Sequence, residues 1–104
     1  MDRPKWIEVL DNQILNFKKL QIFLILVHLL PIWLFAYFPT QDGPSHIYNS
    51  QVLREYWNPE YGFQMFYNIN WHLFPNWLSH FALAVLMGVF SPIIAEKVFL
   101  SAYV

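Results

Sequence analysis

Two long apolar runs, separated by a polar loop, set the pattern of this chain. The first run, from Leu20 to Phe38, reads LQIFLILVHLLPIWLFAYF and contains two polar side chains, Gln21 and His28. Its nineteen residues would rise roughly 28 Å as a helix, close to the hydrocarbon thickness of a bilayer, about 30 Å. The run therefore predicts a transmembrane helix, with a kink where Pro31 removes one backbone hydrogen bond.

The second run follows a polar loop over 39–74 and reads FPNWLSHFALAVLMGVFSPIIA. It predicts a second transmembrane helix over 75–95, which would return the chain to the other side, where Glu96 and Lys97 follow. The remaining segment, 96–104, is a short turn and an apolar start that is too short to cross a membrane. We therefore expect the N-terminal part of a larger polytopic protein, cut inside its third span. A complete two-span protein with a short apolar tail is the alternative.

The predicted fold class is all-α, with two full transmembrane helices, the start of a third, and an amphipathic helix in the first external loop. That loop helix is placed at about 44–57, because Tyr48, Val52 and Tyr56 recur at a spacing of four. Ahead of the first span, residues 1–19 mix apolar and charged side chains. They predict a cytoplasmic amphipathic lead-in lying on the membrane surface, or alternatively a short solvated segment.

Composition and charge agree with a membrane protein. Hydrophobic residues make up 57% of the chain and charged residues 12%, against about 25% charged residues in soluble domains. A net charge of -1 gives no reason to expect a nucleic-acid partner. The absence of cysteine excludes disulfides and a cysteine-based metal site. Because the first run exceeds a signal-peptide core and no small-residue cleavage site follows it, a retained signal-anchor is predicted.

The basic residues predict the orientation. Arg3, Lys5, Lys18 and Lys19 precede the first span, whereas only Arg54 lies between the two runs. The positive-inside rule then places the N-terminus in the cytoplasm and the loop outside.

Candidate chemistry lies at the start of the loop. Asp42 precedes Gly43 and Pro44, and an Asp ahead of a proline-initiated helix is a good N-cap. The alternative is functional: a turn directly after a span would hold this carboxylate at the membrane–water boundary, where partial desolvation raises basicity. His46 can approach Asp42 across one helical turn. It could act as a general-base partner, contact a phosphate, or be an ordinary polar helix residue.

The layout resembles the GT-C superfamily, polytopic glycosyltransferases that use lipid-phosphate-linked sugars. The likeness is carried by Pro39-Thr40-Gln41-Asp42-Gly43-Pro44-Ser45-His46, by Tyr48-Asn49 and Leu53, and by Ala95-Glu96-Lys97. It implies an enzyme of the bacterial inner membrane that transfers a sugar at the outer face, with Asp42 as the base and His46 beside it. The implied partners are the bilayer, the lipid-phosphate-linked donor, and further transmembrane helices of the full-length chain or of partner subunits.

The resemblance implies no cofactor. Many GT-C members carry two adjacent acidic residues at this point, whereas Gln41 and Gly43 flank Asp42 here, so a metal-assisted mechanism is not supported. Convergence of His46, His72 and His80 with Asp42 would be needed for a metal site.

Other functional classes stay open. The chain could be a small non-enzymatic membrane subunit or assembly factor whose loop helix docks on a partner. A transporter is favoured only by the intramembrane His28 and by Pro31. The aromatic stretch over 56–77 could form a sugar-stacking surface or anchor the loop at the membrane interface.

Overall fold

The computed structural model describes residues 4–72 and 74–104; Arg3, which enters the orientation argument, lies outside these ranges. Four α-helices follow one another in the described chain: α1 (Lys5–Leu34), α2 (Gly43–Arg54), α3 (Trp77–Leu86) and α4 (Pro92–Ser101), with a short 3-10 helix at Phe63–Met65. These ranges contain no strand. The predicted all-α class is confirmed, but two full membrane spans are not shown.

α1 is one continuous helix of 30 residues that joins the predicted lead-in to the predicted span. At 1.5 Å per residue it is about 45 Å long, roughly 15 Å longer than the hydrocarbon core of a bilayer. The helix continues through Pro31 and ends at Leu34, where Phe35 adopts an extended conformation. Among the described residues, α1 is the one helix with the length and composition to cross a membrane.

The apolar side chains of α1 are exposed along most of its length. Phe23, Leu26 and Leu30 keep 61%, 59% and 57% of their surface accessible, and Ile32 is the one buried residue in the helix. A helix in the core of a soluble protein would be covered by other elements. Moving each such side chain into an apolar phase is worth about 1.5–3 kcal/mol. This exposed apolar surface is typical of a helix that crosses a membrane.

The second apolar run is divided into two short helices. α3 ends at Leu86, and α4 begins at Pro92 after a turn. Gly88 has a poor helix propensity, and Ser91 is extended because the residue before a proline avoids helical angles. Each helix has 10 residues and rises only about 15 Å. The predicted single helix over 75–95 is thus not found, since Gly88 and Pro92 interrupt it.

α4 runs antiparallel to the end of α1. The Lys97 ammonium donates a hydrogen bond to the carbonyl of Phe35 at 2.5 Å, and the indole N–H of Trp33 donates to the Ser101 hydroxyl at 3.0 Å. Later residues of α4 therefore contact earlier residues of α1. Glu96 and Lys97 lie beside the end of α1 that leads into the loop, whereas the predicted second span would have carried them to the opposite side.

The small core lies where α2, α3 and α4 meet. Its buried apolar side chains are Ile32, Val52, Leu83, Met87 and Ala95. α2 packs mainly on α3, so Val52 on its predicted apolar face is covered by protein. The helix ends at Arg54, three residues before the predicted end.

Candidate functional site

The chain turns tightly where it enters α2. Gly43, the first residue of α2, is buried, and a Cβ atom built on it would overlap the Thr40 hydroxyl and the Glu96 carboxylate. Only a residue without a side chain fits this close approach. Pro44 follows in the first turn, where its missing N–H is not needed. Together Gly43 and Pro44 fix the backbone directly after Asp42.

Asp42 occupies the N-cap position of α2, as predicted, but its side chain does not cap the helix. Its backbone carbonyl accepts a hydrogen bond from the N–H of His46 at 3.0 Å. Its backbone is helical, with φ -105 and ψ 0, whereas a capping Asp normally has extended angles. The carboxylate is exposed and, within residues 4–72 and 74–104, has no hydrogen-bond or ion-pair partner. It is therefore available to a ligand.

Glu96 reaches the same place from α4. The hydroxyl of Thr40 donates a hydrogen bond to its Oε1 at 2.7 Å, in a partly buried setting. A hydrogen bond to a charged acceptor is about twice as strong as a neutral one. This bond ties the segment before Asp42 to α4. Asp42, Glu96 and His46 all line one cavity of about 350 Å³, hereafter the acidic cavity.

His46 contacts a histidine of α3 as its hydrogen-bond partner. Its Nδ1 lies 2.9 Å from Nε2 of His80, and the ring centroids are 5.0 Å apart. One of these nitrogens must donate and the other accept, so at least one ring is neutral. Partial burial lowers the pKa of His80, and the neighbouring His46 lowers this pKa further. Both effects favour the neutral form of His80 in the pair that joins α2 to α3.

A second cavity, of about 250 Å³, lies on the other side of this histidine pair. It is bounded by α2, by the segment 67–70 and by the start of α3, and His80 lines it. Since His46 lines the acidic cavity, the hydrogen bond between the two imidazoles is part of the wall between the cavities. We call this second space the amide cavity, because Asn49, Asn68 and Asn70 line it.

The rim of the amide cavity is held by tyrosines. The hydroxyl groups of Tyr48 and Tyr67 are 3.0 Å apart, and this hydrogen bond raises the pKa of Tyr67. The hydroxyl of Tyr56 donates to the carbonyl of Tyr67 at 3.1 Å. These contacts attach the loop after the 3-10 helix to α2.

A third, largely apolar cavity of about 660 Å³ lies beside the end of α1. Phe38, Ile47 and Met87 contribute to its apolar lining. Thr40 and Glu96 line this space and the acidic cavity as well. An apolar group and a polar group of one ligand could therefore occupy adjoining spaces.

The predicted site residues have different outcomes. Asp42 and His46 line the same cavity, whereas His72 is exposed and is not part of the histidine pair. Within the described part of the chain, no three His, Cys, Asp or Glu side chains are grouped to hold a metal ion. His28 contacts the carbonyl of Leu24 in its own helix, with Nδ1 2.7 Å from the oxygen.

Sequence reasoning did not select Glu96 or His80 as site residues. Glu96 was assigned to a turn between two spans, yet it lies inside α4 among apolar residues. A carboxylate within a mostly apolar helix is itself a signal, because such a group needs a polar partner. The pairing of His80 with His46, 34 positions away, has no local signature.

No family model, no curated protein and no solved structure matches this chain.

Proposed function

We propose that this chain is the N-terminal part of an integral membrane glycosyltransferase. It would transfer a sugar from a lipid-phosphate-linked donor to an acceptor hydroxyl at the outer face of the membrane. The observation that carries the proposal is the acidic cavity, where Asp42, His46 and Glu96 meet beside the end of α1, the one helix among the described residues that is fit to cross a bilayer. The sequence resemblance to GT-C enzymes points to Asp42 and His46.

The position of the cavity suits chemistry on a lipid-linked substrate. α1 ends at Leu34, and Asp42 follows within a short segment held to α4 by the Thr40–Glu96 hydrogen bond. If α1 spans the bilayer, this segment lies near the membrane–water boundary. A phosphate headgroup sits at that level while its hydrocarbon chain stays in the lipid.

The proposed reaction uses Asp42 as the base. Its carboxylate takes the proton of the acceptor hydroxyl while the acceptor oxygen attacks the anomeric carbon of the donor sugar. The bond between that carbon and the phosphate oxygen breaks, and the lipid phosphate leaves with the electron pair. A general base typically contributes 10²–10⁴-fold to such a step. The unpartnered carboxylate of Asp42 is free to accept the proton.

His46 and Glu96 take supporting roles in this proposal. Nδ1 of His46 is engaged by His80, which leaves Nε2 to contact the acceptor or the departing phosphate. Glu96 holds Thr40 and thereby the segment that carries Asp42. The apolar cavity next to Thr40 offers a place for the first part of the donor hydrocarbon chain.

The same proposal includes the location and orientation. Lys18 and Lys19 lie inside α1, ahead of its most apolar part. By the positive-inside rule they lie at the cytoplasmic side of a bacterial inner membrane. α4 then enters the bilayer from the outer face, beside α1, because the two helices are antiparallel.

The test uses membranes from cells that express the complete gene product. These membranes are incubated with polyprenyl phosphates carrying radiolabelled glucose, mannose or arabinose, and transfer of the label is measured. Asp42→Asn should reduce transfer about 10²-fold or more at an unchanged protein level. Glu60→Gln is the matched control, because Glu60 is an exposed loop carboxylate outside the three cavities. Full activity of the Asp42→Asn protein would refute the role of Asp42 as base.

A further inference from the structure

The amide cavity has a lining that selects the charge of a ligand. Within residues 4–72 and 74–104, its wall contains aromatic rings, aliphatic side chains, three asparagine side chains and His80, and no Lys, Arg, Asp or Glu. Burial lowers the pKa of His80, so the imidazole is mainly neutral at pH 7. A cavity without charged groups offers nothing to compensate the lost solvation of an ionic ligand. The ligand that fits is therefore uncharged.

Two of the asparagines leave hydrogen-bonding groups for that ligand. The side chains of Asn49 and Asn68 have no partner within the described residues, whereas the Asn70 side chain accepts from the N–H of His72 at 3.0 Å. Each free amide presents two donors and one acceptor. A ligand with several hydroxyl groups can use both.

The aromatic part of the wall is fixed before a ligand arrives. The indole N–H of Trp77 donates to the carbonyl of Asn70 at 3.0 Å, and its ring stacks on Phe81 with centroids 5.8 Å apart. Tyr56 is held through its hydroxyl by Tyr67. The alternative role of these rings, anchoring the loop at a membrane interface, does not explain why they line the same cavity as unpartnered amides. Rigid aromatic rings beside free amides match a sugar ring. Its apolar C–H face can stack on an aromatic ring, and the equatorial hydroxyls at its edge can bond to the amides.

We propose that the amide cavity binds one neutral pyranose ring, with Trp77 or Tyr56 as the stacking face and with Asn49 and Asn68 as hydrogen-bond partners. Its volume of about 250 Å³ lies below the range of about 300–1,000 Å³ for drug-sized ligands, which limits the ligand to a single ring in the cavity. That this ring belongs to a carbohydrate acceptor rests on the proposed transferase function. The His46–His80 contact then places the acceptor next to the acidic cavity.

Binding is tested with the protein in detergent micelles, labelled with 5-fluorotryptophan. The ¹⁹F resonance of Trp77 is assigned with Trp77→Phe and followed during titration with methyl glucoside, methyl galactoside and methyl mannoside. At least one glycoside should produce a saturable shift with Kd on the order of 1–10 mM, as expected for so small a ligand. Sorbitol, which has hydroxyls but no ring, and methyl glucuronide, which is charged, should bind at least about fivefold more weakly.

Matched variants localise the site. Asn68→Ala removes one unpartnered amide and should raise Kd about five- to tenfold, and Asn49→Ala provides an independent second variant. Asn16→Ala changes an exposed asparagine of α1 and should leave Kd unchanged. The proposal is overturned if no glycoside gives a saturable shift, if sorbitol binds as well as the glycosides, or if both cavity variants bind normally. Saturable binding of a serine- or threonine-containing peptide without glycoside binding would also overturn it.

The two proposals fail in different ways. If Asp42→Asn abolishes transfer while no glycoside binds, the proposed transferase function is supported and the proposed carbohydrate site is refuted. If glycosides bind with the predicted variant effects while transfer is independent of Asp42, the carbohydrate site is supported and the role of Asp42 as base is refuted.

Discussion

Replacing Gly43 with Ala tests how the turn before α2 is built. Gly43 has a negative φ and begins a helix, so backbone propensity alone predicts that Ala stabilises the protein by up to about 1 kcal/mol. The surroundings predict the opposite sign. A Cβ atom at this position overlaps both the Thr40 hydroxyl and the Glu96 carboxylate. Helix propensity and the close approach of neighbouring side chains therefore predict opposite signs for the change in stability.

The magnitude follows from the contacts that must change. Glu96 can move its carboxylate, whereas the Cβ of Thr40 is itself 3.0 Å from the added atom. Separating these two side chains breaks a hydrogen bond to a charged group, worth about 1.5–3 kcal/mol. Overpacking adds typically 1–3 kcal/mol when nothing relaxes. After subtracting the helix-propensity gain, we expect Gly43→Ala to lower the free energy of unfolding by about 0.5–2 kcal/mol if the neighbours relax and by up to about 5 kcal/mol if they do not.

The assay is chemical unfolding in detergent micelles, followed by far-ultraviolet circular dichroism. Ser45→Ala, an exposed change in the first turn of α2, serves as the control and should stay within about 0.5 kcal/mol of the wild type. The double variant Thr40→Ala with Gly43→Ala should lose less than the sum of the single variants, because the same bond is broken in both. A Gly43→Ala protein as stable as the wild type, or more stable, would refute the close-approach explanation.

Two further predictions concern α4 and the histidine pair. Lys97→Met should lower the free energy of unfolding by about 1–3 kcal/mol, because the carbonyl of Phe35 loses its donor; Lys18→Met, at an exposed site of α1, should not. The lowered pKa of His80 means that the unfolded chain binds its proton more readily, so stability should fall as pH drops through the ordinary value of 6.5. Unfolding of wild type and His80→Gln at about pH 7.5 and 5.5 checks this, and an equal pH effect in both would contradict it.

Local rules predicted the elements that local interactions determine. The apolar run ending at Phe38 predicted a long apolar helix, found as the second part of α1, and the Asp42-Gly43-Pro44 sequence predicted the start of α2. The N-terminal boundary was harder to predict. The lead-in contains charged residues, yet nothing between it and the apolar run breaks a helix, so α1 starts at Lys5.

Interactions between residues far apart in the sequence explain most of the features that were not predicted. Hydropathy alone could not show that 75–95 would divide, because an apolar run fits one membrane helix as well as two short helices that pack on α2. Gly88 and Pro92 decide between these structures only together with the contacts of α3. Likewise, the pairing of Thr40 with Glu96 spans 56 positions and leaves no pattern in the sequence. Asp42 could be predicted as a candidate, but the shape of its cavity could not.

α4 is the element that links the acidic cavity to α1. Its bonds to Trp33, Phe35 and Thr40 follow one another along the segment that leads from α1 to Asp42. If α1 lies in lipid, its depth is set by the match between its apolar length and the bilayer, with mismatch costing fractions of a kcal/mol per Å. The three hydrogen bonds then fix the depth of Glu96 relative to that of α1. Glu96 and the Thr40 side chain bonded to it then keep a fixed depth in the bilayer without any contact to a lipid headgroup, and so does Asp42, the proposed base, which lies two residues after Thr40.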